Sequence, residues 1–564
     1  MRTTIRVGVS TCGLAAGAEA VCSAIETYLH RRQLPVTLQR TGCLGACHRE
    51  PLVEVMVDGA STLYGPVTPE RVTPILDQHF GAGGRGIAAD WVVSRRPDKQ
   101  DYPFLARQVQ ITTQLCGVID PSSLDHYLAH SGYEAFRAAL RLPPEAIVQI
   151  VTEARLRGRG GAGYPTGLKW EHTRQQPGTP KFIICNADEG DPGAFMDRTM
   201  IEGDPHRLLE GMLIAAHAIG ATQGYIYVRA EYPLAVKALR RAITQAQEYG
   251  VIGRNILGSG LDFTLTIKEG AGAFVCGEET ALIHSIEGAR GMPRLRPPYP
   301  SAQGLWGYPT NINNVETYCS VPSIILNGPG WFAGLGTARS GGTKAFALTG
   351  AIANSGLVEV PIGMTLRELI VDIGGGCQSG RTFKAVQLGG PSGGCIPTDL
   401  LDTRIDYEDL HATGAIMGSG GMVVVDDTTC MVDFTRFFLT FTQDESCGKC
   451  LPCRVGTRKM LGFLTRITHG QADQTDLDRL LHLCETVRLG SLCGLGQTAP
   501  NPVLTTMRYF KDEYLAHIAD KRCPAHVCPL DDGRTMAAAS GSNGRVALGT
   551  KHTAAVPGPE ERQV

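Results

Sequence analysis

The stretch Phe182–Asp191, FIICNADEGD, decides the fold, because a short apolar run passes directly into polar and acidic residues. Such a run is typical of a buried strand. Two more strands are predicted at Tyr225–Arg229 and Leu265–Lys268, and helices at Pro205–Ile219 and Tyr232–Tyr249 separate them. Strands that alternate with helices indicate a doubly wound α/β sheet, in which ligands bind at the carboxyl ends of the strands.

Glycine-rich and polar segments surround this predicted sheet. Residues Gly158–Gly163, GRGGAG, match G-x-G-x-x-G, but a helix predicted at Pro144–Leu156 precedes them, where the dinucleotide fingerprint needs a strand. Such a loop can still approach a phosphate through its backbone N–H groups. Polar clusters also occur at Asn186–Asp191, Gly270–Glu279 and Thr310–Asn314. Each cluster alone is more often a helix cap or a surface turn, but together they predict one nucleotide pocket.

Composition narrows the class of protein. The 564 residues are 43% hydrophobic and 19% charged with a formal net charge of −2, so we expect several globular domains and no surface for nucleic acid. We expect neither a targeting segment nor a membrane span, and therefore a cytoplasmic protein. In that reducing compartment, eighteen cysteines predict metal sites or buried thiols rather than disulfides. Seven isolated cysteines are interpreted as core residues: Cys116, Cys185, Cys276, Cys319, Cys377, Cys395 and Cys430.

A cysteine cluster lies near the C-terminal end. Cys447, Cys450 and Cys453 have the spacing C-x-x-C-x-x-C, whose thiolates can converge on one face of an iron–sulfur cubane. The fourth ligand is either Cys493, on a glycine-flanked loop, or Cys484, at a core-like position in a helix, and the loop favours Cys493. A four-cysteine zinc site is the alternative, although structural zinc normally uses two cysteine pairs.

Taken together, these segments resemble one family: the NADH-binding flavoprotein subunit of respiratory complex I and its soluble relatives. The relatives are the diaphorase subunits of NAD-reducing and electron-bifurcating hydrogenases and of NAD-dependent formate dehydrogenases. The resemblance spans about Leu156–Lys511. The motifs that carry it are Arg157–Trp170 (RGRGGAGYPTGLKW), Cys185–Arg198 (CNADEGDPGAFMDR), Gly270–Glu287, Asn313–Glu316 and Glu445–Arg454.

The resemblance implies FMN, NAD(H) and a [4Fe–4S] cluster as cofactors. The residues implied for FMN are Gly158, Arg159, Gly160, Lys169, Asn186, Asp188, Glu189, Gly277, Glu278, Asn313 and Asn314. Those implied for the dinucleotide are Tyr164, Asp191, Phe274, Glu279, Arg296 and Tyr299. The cluster would bind Cys447, Cys450, Cys453 and Cys493, which favours iron–sulfur over zinc. No side chain is expected to act as a catalytic acid or base, because the flavin N5 accepts the hydride.

The resemblance also implies a multidomain α/β fold. The expected order is a thioredoxin-like domain at 1–82, a linker at 83–116, a Rossmann-like FMN- and NADH-binding domain at 117–335, a ubiquitin-like β-grasp module at 336–429, a [4Fe–4S] helical bundle at 430–522 and a mostly disordered tail at 523–564. Two residues depart from the respiratory pattern. Asp191 is an aspartate, as in the hydrogenase and formate dehydrogenase relatives, and Arg296 replaces a common lysine, which leaves NADP use open.

The N-terminal cysteines allow two interpretations. Cys12, together with Cys43 and Cys47 in a C-x-x-x-C motif, resembles the thioredoxin-like [2Fe–2S] domain of many soluble relatives. The usual fourth ligand is missing, and Cys22 falls on the apolar face of a predicted helix. The domain therefore either carries a [2Fe–2S] cluster or is a docking domain without one.

A last cysteine pair occurs in Cys523-Pro-Ala-His526-Val-Cys528. It resembles the segment that leads into a ferredoxin domain in bifurcating relatives, but no further cysteine run follows it here. The two cysteines and the histidine either share a zinc ion, or join ligands of another subunit, or belong to a tail without a metal.

The predicted function is hydride exchange between NAD(H) and FMN, followed by single-electron transfer through the [4Fe–4S] cluster to a partner. The expected partners are other redox subunits, including a catalytic subunit of the hydrogenase or formate dehydrogenase type. One alternative is the corresponding part of a respiratory NADH-quinone oxidoreductase, which the fused N-terminal domain disfavours. The other is a zinc-containing nucleotide-binding scaffold without redox function.

Overall fold

The computed structural model describes residues 3–81, 87–378 and 380–530. Most of the tail predicted at 523–564 and most of the glycine-rich segment 81–86 lie outside the described residues. The strands are β1 (Thr4–Gly8), β2 (Thr37–Thr41), β3 (Val53–Val57), β4 (Ala60–Tyr64), β5 (Val92–Ser94), β6 (Phe182–Ala187), β7 (Gln223–Arg229), β8 (Thr264–Gly270), β9 (Thr310–Asn314), β10 (Thr343–Gly350), β11 (Gly356–Pro361), β12 (Phe383–Leu388), β13 (Gly394–Pro397) and β14 (Gly421–Asp426).

The helices connect and cover three sheets. The helices are α1 (Thr11–Ala15), α2 (Ala18–Arg32), α3 (Pro69–Phe80), α4 (Pro103–Ala106), α5 (Leu124–Leu128), α6 (Glu134–Ala139), α7 (Pro144–Glu153), α8 (Thr166–Arg174), α9 (Met196–Gly203), α10 (Pro205–Ile219), α11 (Pro233–Glu248), α12 (Glu279–Ile286), α13 (Val315–Asn327), α14 (Pro329–Gly334), α15 (Tyr407–Ala412), α16 (Met431–Asp444), α17 (Thr457–Thr468), α18 (Gln474–Gly490), α19 (Gly494–Thr498), α20 (Asn501–Tyr509) and α21 (Lys511–Ile518). The chain is thus an α/β protein of several sheets with a helical C-terminal region.

The N-terminal sheet has the order β2-β1-β3-β4-β5, in which β1 and β2 are parallel and the other pairs are antiparallel. Helices α2 and α3 bury their apolar residues against it. Strand β5 lies within 83–116, which was expected to be a linker. Further along this segment, Glu359 of β11 accepts hydrogen bonds from the backbone N–H groups of Thr112 and Thr113. The segment is therefore packed against two sheets.

The central sheet is parallel throughout and has the order β8-β7-β6-β9. Helix α10 is buried on nearly every side; Asp204 caps it, Pro205 is its first residue, and Gly220 ends it in the left-handed region at φ 78°. The chain runs from β6 to β7 to β8 on one side and then returns to place β9 on the other side of β6. The switch point of this sheet, where ligands bind in such folds, therefore lies between β6 and β9.

Two elements of this region differ from the prediction. The polar cluster Thr310–Asn314 forms the buried strand β9. Its polar side chains can be buried because they form hydrogen bonds inside the protein; the Asn311 side-chain amide, for example, donates to Asn313 Oδ1. The sequence pattern also predicts one helix over Leu124–Leu140, but the chain forms two helices there, α5 and α6. Two left-handed residues between them, Ser131 and Tyr133, interrupt the helical backbone.

The third sheet has the order β11-β10-β14-β12-β13, and only β10 and β14 are parallel. Its core packs a short π-helix, Glu368–Ile373, and helix α15. The C-terminal helices α16–α21 form a bundle with its own apolar core. The sequence pattern predicts one helix over Pro502–Ala519, but the chain forms α20 and α21 there, separated at Phe510, whose φ and ψ are −133° and 34°. Within the three described ranges, no helix has both the length and the apolar character needed to cross a bilayer.

Candidate functional site

A cavity of about 690 Å³ opens at the switch point of the central sheet. Many residues that the sequence assigned to FMN or to the dinucleotide line it. These are Gly160, Asn186, Asp188, Glu189, Asp191, Phe274, Gly277, Glu278 and Asn314. They come from the glycine loop, the ends of β6 and β9, and the segment after β8, so the fold brings the four separate motifs to one place.

Asp188 is the clearest sign that this cavity holds a polar ligand. Both of its carboxylate oxygens are buried and have no hydrogen-bond partner among the described residues. Burial raises its pKa to about 7, although the neighbouring Arg229 guanidinium lowers it. A buried carboxylate without donors is costly, so hydroxyl or N–H donors from a bound cofactor would offset that cost. A flavin nucleotide carries several hydroxyl and N–H groups, so it could donate the hydrogen bonds that the Asp188 carboxylate lacks.

Glu189 is held by the protein itself. Its two oxygens accept the backbone N–H groups of Asp197 and Arg198, at 3.0 and 3.1 Å, in the first turn of α9. Burial raises its pKa, and these hydrogen bonds lower it. Asp197 in turn accepts a 2.6 Å hydrogen bond from the side-chain amide of Asn314. The acidic loop after β6 is thereby tied to the end of β9.

Close contacts explain the glycine loop. Gly158 N–H donates to Tyr164 O at 2.9 Å, which closes the loop as a tight turn before α8. Gly163 has a left-handed φ of 64°, and a Cβ there would lie 2.4 Å from the ring of Tyr407. A Cβ on Gly160, which faces the cavity, would lie 3.1 Å from Asn314 Cβ. The loop therefore needs glycine both for its backbone and for the close approach of its neighbours.

The side chain of Arg159, a residue that the resemblance assigns to FMN, is engaged inside the protein. The side chain is fully buried, and its guanidinium donates to the carbonyls of Arg157, Gly341 and Thr343 at 2.6–2.9 Å. Its backbone N–H donates to Thr317 Oγ1 at 2.9 Å. These bonds fasten the glycine loop to the segment that leads into β10. The guanidinium is thus bonded within the fold, and the assignment of Arg159 to FMN stays a prediction.

Three other predicted residues form an ion cluster. Glu279 accepts Lys169 Nζ at 3.1 Å and Arg296 Nη1 at 2.7 Å. Burial alone would raise the pKa of Glu279, but the two cations lower it below its usual value. None of the three lines the cavity. The structure thus joins one residue assigned to FMN with two assigned to the dinucleotide.

The remaining predicted residues lie elsewhere around the loop. Tyr164 and Tyr299 are exposed, at 47% and 57%, and neither lines the cavity. Asn313 is buried below the cavity, where its Oδ1 accepts Trp170 Nε1 at 2.9 Å. Gly158 lies behind Gly160, and its carbonyl accepts the hydroxyl of Tyr407. These residues shape or flank the pocket without forming its walls.

The far wall of the cavity was not predicted by any sequence motif. It comes from the third sheet and from the bundle: Gly389, Ser392, Met417, Gly418, Ser419, Gly494, Leu495 and Thr498. Ser419 donates to Asp191, and this bond lowers the pKa of Asp191, although burial raises it to about 6 overall. The glycine pairs Gly389-Gly390 and Gly420-Gly421 were the available signal.

The C-terminal cysteines form a second, smaller cavity. Cys447, Cys450, Cys453 and Cys493 all line it. Cys493 caps the start of α19, whereas Cys484 is fully buried within α18 in the bundle core. The structure therefore brings Cys493, and not Cys484, to the three clustered cysteines. Four thiols that face one small cavity suit a cubane better than isolated core packing.

The two cavities share a wall. Val275 and Leu495 line both of them. The loops are also bonded together, because Phe274 N–H donates to Glu445 at 3.1 Å and Lys449 Nζ donates to Pro293 O at 2.5 Å. A ligand in the larger cavity and a cluster bound by the four cysteines would thus be separated by the side chains of Val275 and Leu495.

The N-terminal thiols converge in part. The sulfurs of Cys43 and Cys47 are 3.8 Å apart. The pKa of Cys12 is lowered to about 3, first by hydrogen bonds from the Cys43 and Cys47 thiols. Cys22 instead belongs to α2 and is fully buried in the apolar core of this unit. Three of the four sequence candidates therefore meet, and Glu50, whose Oε1 is 3.4 Å from Cys43 Sγ, is a neighbouring ligand-type side chain.

The last cysteine pair has different neighbours from those the sequence suggested. His526 is exposed to solvent, and the pair instead meets Cys430 and His517. Cys430, interpreted from the sequence as a core residue, is therefore part of a four-residue group. All eighteen cysteines lie in the described ranges, and all are free thiols.

Comparison with known proteins matches two family profiles. The profile described as "Nuo51 FMN-binding domain" matches residues 151–323, and "NADH-ubiquinone oxidoreductase-F iron-sulfur binding region" matches 433–517. The HndC subunit of the NADP-reducing hydrogenase of Solidesulfovibrio fructosivorans is 57% identical over 422 residues, which cover 75% of this chain and 86% of that one. The F 2 subunit of the NADH-quinone oxidoreductase of Rhizobium meliloti (strain 1021) is 45% identical, with 75% and 99% covered.

A solved structure matches a larger part of the chain. One chain of the air-oxidized NAD⁺-reducing [NiFe]-hydrogenase is 33% identical with a TM-score of 0.65, and the match covers 92% of this chain and 85% of that one. The FMN-binding and iron–sulfur regions thus coincide with the two adjoining cavities described above. The chain belongs to the family of NADH-oxidising flavoprotein subunits that includes the F subunits of NADH-quinone oxidoreductases and their hydrogenase relatives.

Proposed function

We propose that this chain exchanges a hydride between NAD(H) and FMN in the larger cavity and passes single electrons to a [4Fe–4S] cluster in the smaller one. The observation that carries the proposal is the shared wall of Val275 and Leu495 between a cavity with an unpaired carboxylate and a cavity of four cysteines. FMN, when bound, supplies the conversion of a two-electron donor into a one-electron donor. Everything else in the step is positioning by the protein.

The roles of the cavity residues follow from their partners. Asp188 accepts hydrogen bonds from the cofactor, since no described residue satisfies its oxygens. Gly160 leaves room for a phosphate-bearing ligand beside Asn314, and the backbone of the loop offers N–H groups to it. Gly277 and Glu278 line the same cavity, where Glu278 also caps α12. Arg159 and Asn313 act indirectly, by holding the loop and β9 in place.

The nicotinamide ring would stack at Phe274, at the edge of the cavity. Phe274 is held against Phe441 with ring centroids 5.3 Å apart, so its position is fixed by the bundle. Asp191, the aspartate shared with soluble relatives, lies in the same wall. Tyr164, Tyr299 and the cluster around Glu279 are proposed to contact the outer parts of the dinucleotide.

The cluster would bind Cys447, Cys450, Cys453 and Cys493. A second, [2Fe–2S] cluster is proposed on Cys12, Cys43 and Cys47, in an N-terminal unit of the thioredoxin-like type. Support comes from its sheet, in which a parallel pairing of β1 with β2 is followed by antiparallel pairings, and from the converging thiols. We likewise assign β10–β14 to a β-grasp module and the central sheet to a Rossmann-like domain.

The unit with Cys12 docks directly on the flavin domain. Thr11 donates to Glu202 of α9 through its N–H at 2.8 Å and its hydroxyl at 2.6 Å. Arg198, one turn earlier in α9, lowers the pKa of Cys12 and bonds through its N–H to Glu189. A cluster there would thus lie one helix away from the flavin cavity.

A hydrogenase- or formate dehydrogenase-type partner suits this chain better than a respiratory membrane arm. The matched hydrogenase chain covers 92% of this chain, a share that requires similarity beyond the family's FMN and iron–sulfur regions. Free thiols throughout suit a cytoplasmic complex. The proposed catalytic partner rests on the names of the similar proteins, two of which are a hydrogenase subunit and a hydrogenase chain.

We infer that the partner docks on a basic groove beside the cysteine loop. Arg454, Arg458, Lys459, Arg466 and Arg479 line it, with Asp476 as the carboxylate among its lining residues. Leu451, directly after Cys450 and three residues before Arg454, is 62% exposed. A positive groove next to the cysteine loop fits an iron–sulfur protein with an acidic docking surface.

The variant Gly160→Val tests the flavin assignment. Its side chain would collide with Asn314 and intrude into the cavity, so we expect the purified protein to lose most of its FMN and its NADH-driven dye reduction, with little change in iron content. Flavin fluorescence after denaturation measures the bound FMN. Gly334→Ala is the matched control, because a Cβ there meets no atom within 4 Å. Normal FMN content in Gly160→Val would refute the assignment.

A further inference from the structure

Four ligand-type side chains converge at a point that neither redox cavity uses. They are Cys430, His517, Cys523 and Cys528, and their ligand atoms all lie within 4.8 Å of one another. His517 Nε2 is 3.5 Å from Cys430 Sγ and 3.3 Å from Cys528 Sγ. The sulfurs of Cys430 and Cys528 are 3.6 Å apart.

These spacings match the edges of a coordination tetrahedron around one ion. Zinc with Zn–S bonds of about 2.3 Å and a Zn–N bond of about 2.05 Å separates its sulfurs by about 3.8 Å and sulfur from nitrogen by about 3.6 Å. A [4Fe–4S] cluster requires wider spacing among all four ligands, since each binds a different iron atom, and a [2Fe–2S] cluster requires it between its two pairs of ligands. The geometry therefore favours a mononuclear site.

The imidazole of His517 is oriented so that one ring nitrogen can bind a metal ion. Its Nδ1 lies 2.7 Å from the Glu513 carbonyl and donates to it, which leaves the lone pair of Nε2 directed at the thiols. The ring is fully buried, so this tautomer is held by the helix and not by solvent. A backbone carbonyl behind a ligating imidazole is the usual arrangement of zinc sites.

We propose that Cys430, His517, Cys523 and Cys528 bind one Zn²⁺ in a closed structural site. Binding releases the three thiol protons and leaves three thiolates and a neutral imidazole on the ion. Cys430, His517 and Cys523 are buried and Cys528 is half-buried, so the four protein ligands leave no open position for a substrate. The ion therefore stabilises the fold and takes no part in the redox reaction.

The site joins both ends of the bundle. Cys430 is the N-cap of α16, His517 belongs to α21, and the two other cysteines flank a turn in which His526 N–H donates to Cys523 O at 3.0 Å. The far end of α16 leads to Glu445 and the Cys447 loop. Zinc at the start of α16 would thus fix the helix whose other end carries the iron–sulfur ligands.

Metal analysis of three variants tests the site. The full-length chain, purified without chelator, should contain one zinc per chain in addition to its iron, measured by inductively coupled plasma mass spectrometry. Cys528→Ser should lose that zinc and become sensitive to trypsin at Lys521 and Arg522. His526→Ala is the matched control, since this exposed histidine lies two residues from Cys528 and outside the group, and it should keep the zinc.

A third variant covers the case in which Cys528→Ser fails to fold. His517→Cys should retain the zinc in a four-cysteine site, and its cobalt-substituted form should absorb more strongly in the sulfur-to-metal charge-transfer region than the cobalt-substituted parent. Zinc retained by Cys528→Ser, iron in place of zinc in the parent, or a disulfide between Cys430 and Cys528 would each overturn the proposal. Bound FMN in the same samples reports on folding, separately from the metal.

Discussion

Asp188 and Arg159 lie in neighbouring loops of the same site, and burial gives them opposite roles. The Asp188 carboxylate has no hydrogen-bond partner in the described chain and is therefore available to a ligand. The guanidinium of Arg159 instead donates to backbone carbonyls inside the protein. The sequence motif predicted that both residues belong near a nucleotide. It could not predict that Arg159 faces inward, because its acceptors Gly341 and Thr343 are more than 180 residues away in the chain.

The buried carboxylate predicts how the FMN-free protein responds to pH. Because the pKa of Asp188 is raised in the folded state to about 7, the folded chain binds more protons than the unfolded chain between its unfolded pKa near 4 and pH 7. The stability contributed by this group is thus present at low pH and is lost as the pH rises through 7. We expect FMN-free protein to melt a few degrees lower at pH 7.5 than at pH 5.5.

Asp188→Asn should reduce that difference, measured by thermal unfolding at the two pH values, and should leave the part that comes from other buried carboxyls such as Asp191, whose pKa burial raises to about 6. Asp58→Asn, at an exposed position, is the control and should leave the difference unchanged. Bound FMN should also weaken the pH dependence of the parent, since it supplies donors to the ionised carboxylate. A pH dependence in Asp188→Asn as large as that of the parent would contradict the prediction and assign the effect to other groups.

Among the helices and strands, those whose ends are marked by residues close in the sequence could be predicted. Helix α10 matches its prediction residue for residue because its cap, Pro205 and Gly220 are all local. Strand β9 was not predicted, because its residues are polar and become strand only through pairing with β6. The break between α5 and α6 at Tyr133 was likewise hidden, since that residue has no conformational signature of its own in the sequence.

The basic face of α17 makes a prediction at this scale. Arg458→Glu reverses one charge of the groove, so electron transfer to an acidic iron–sulfur partner should fall several-fold and should depend less on salt, because electrostatic attraction sets the encounter rate. Reduction of a small neutral dye by NADH should be unchanged. Arg241→Glu, on the exposed face of α11, is the control. An equal loss in both variants would exclude the groove as the docking surface.

At the scale of the whole molecule, the redox site exists only where three units meet. The central sheet gives the acidic loop, the third sheet gives Ser419, and the bundle gives Leu495 and the cysteines. Sequence motifs predicted the contents of each unit, including the four clustered cysteines that the fold brings together. They could not predict the shared wall, because no local pattern encodes which loops of separate units will touch.

The most direct test of the account is electron paramagnetic resonance of the purified chain after anaerobic addition of NADH, compared with Cys450→Ser. The account predicts that NADH bleaches the flavin in both proteins, that the parent develops the signal of a reduced [4Fe–4S] cluster, and that the variant lacks this signal. The proposed electron transfer would be contradicted if NADH reduced the flavin of the parent protein without producing the [4Fe–4S] signal. It would also be contradicted if Cys450→Ser kept that signal.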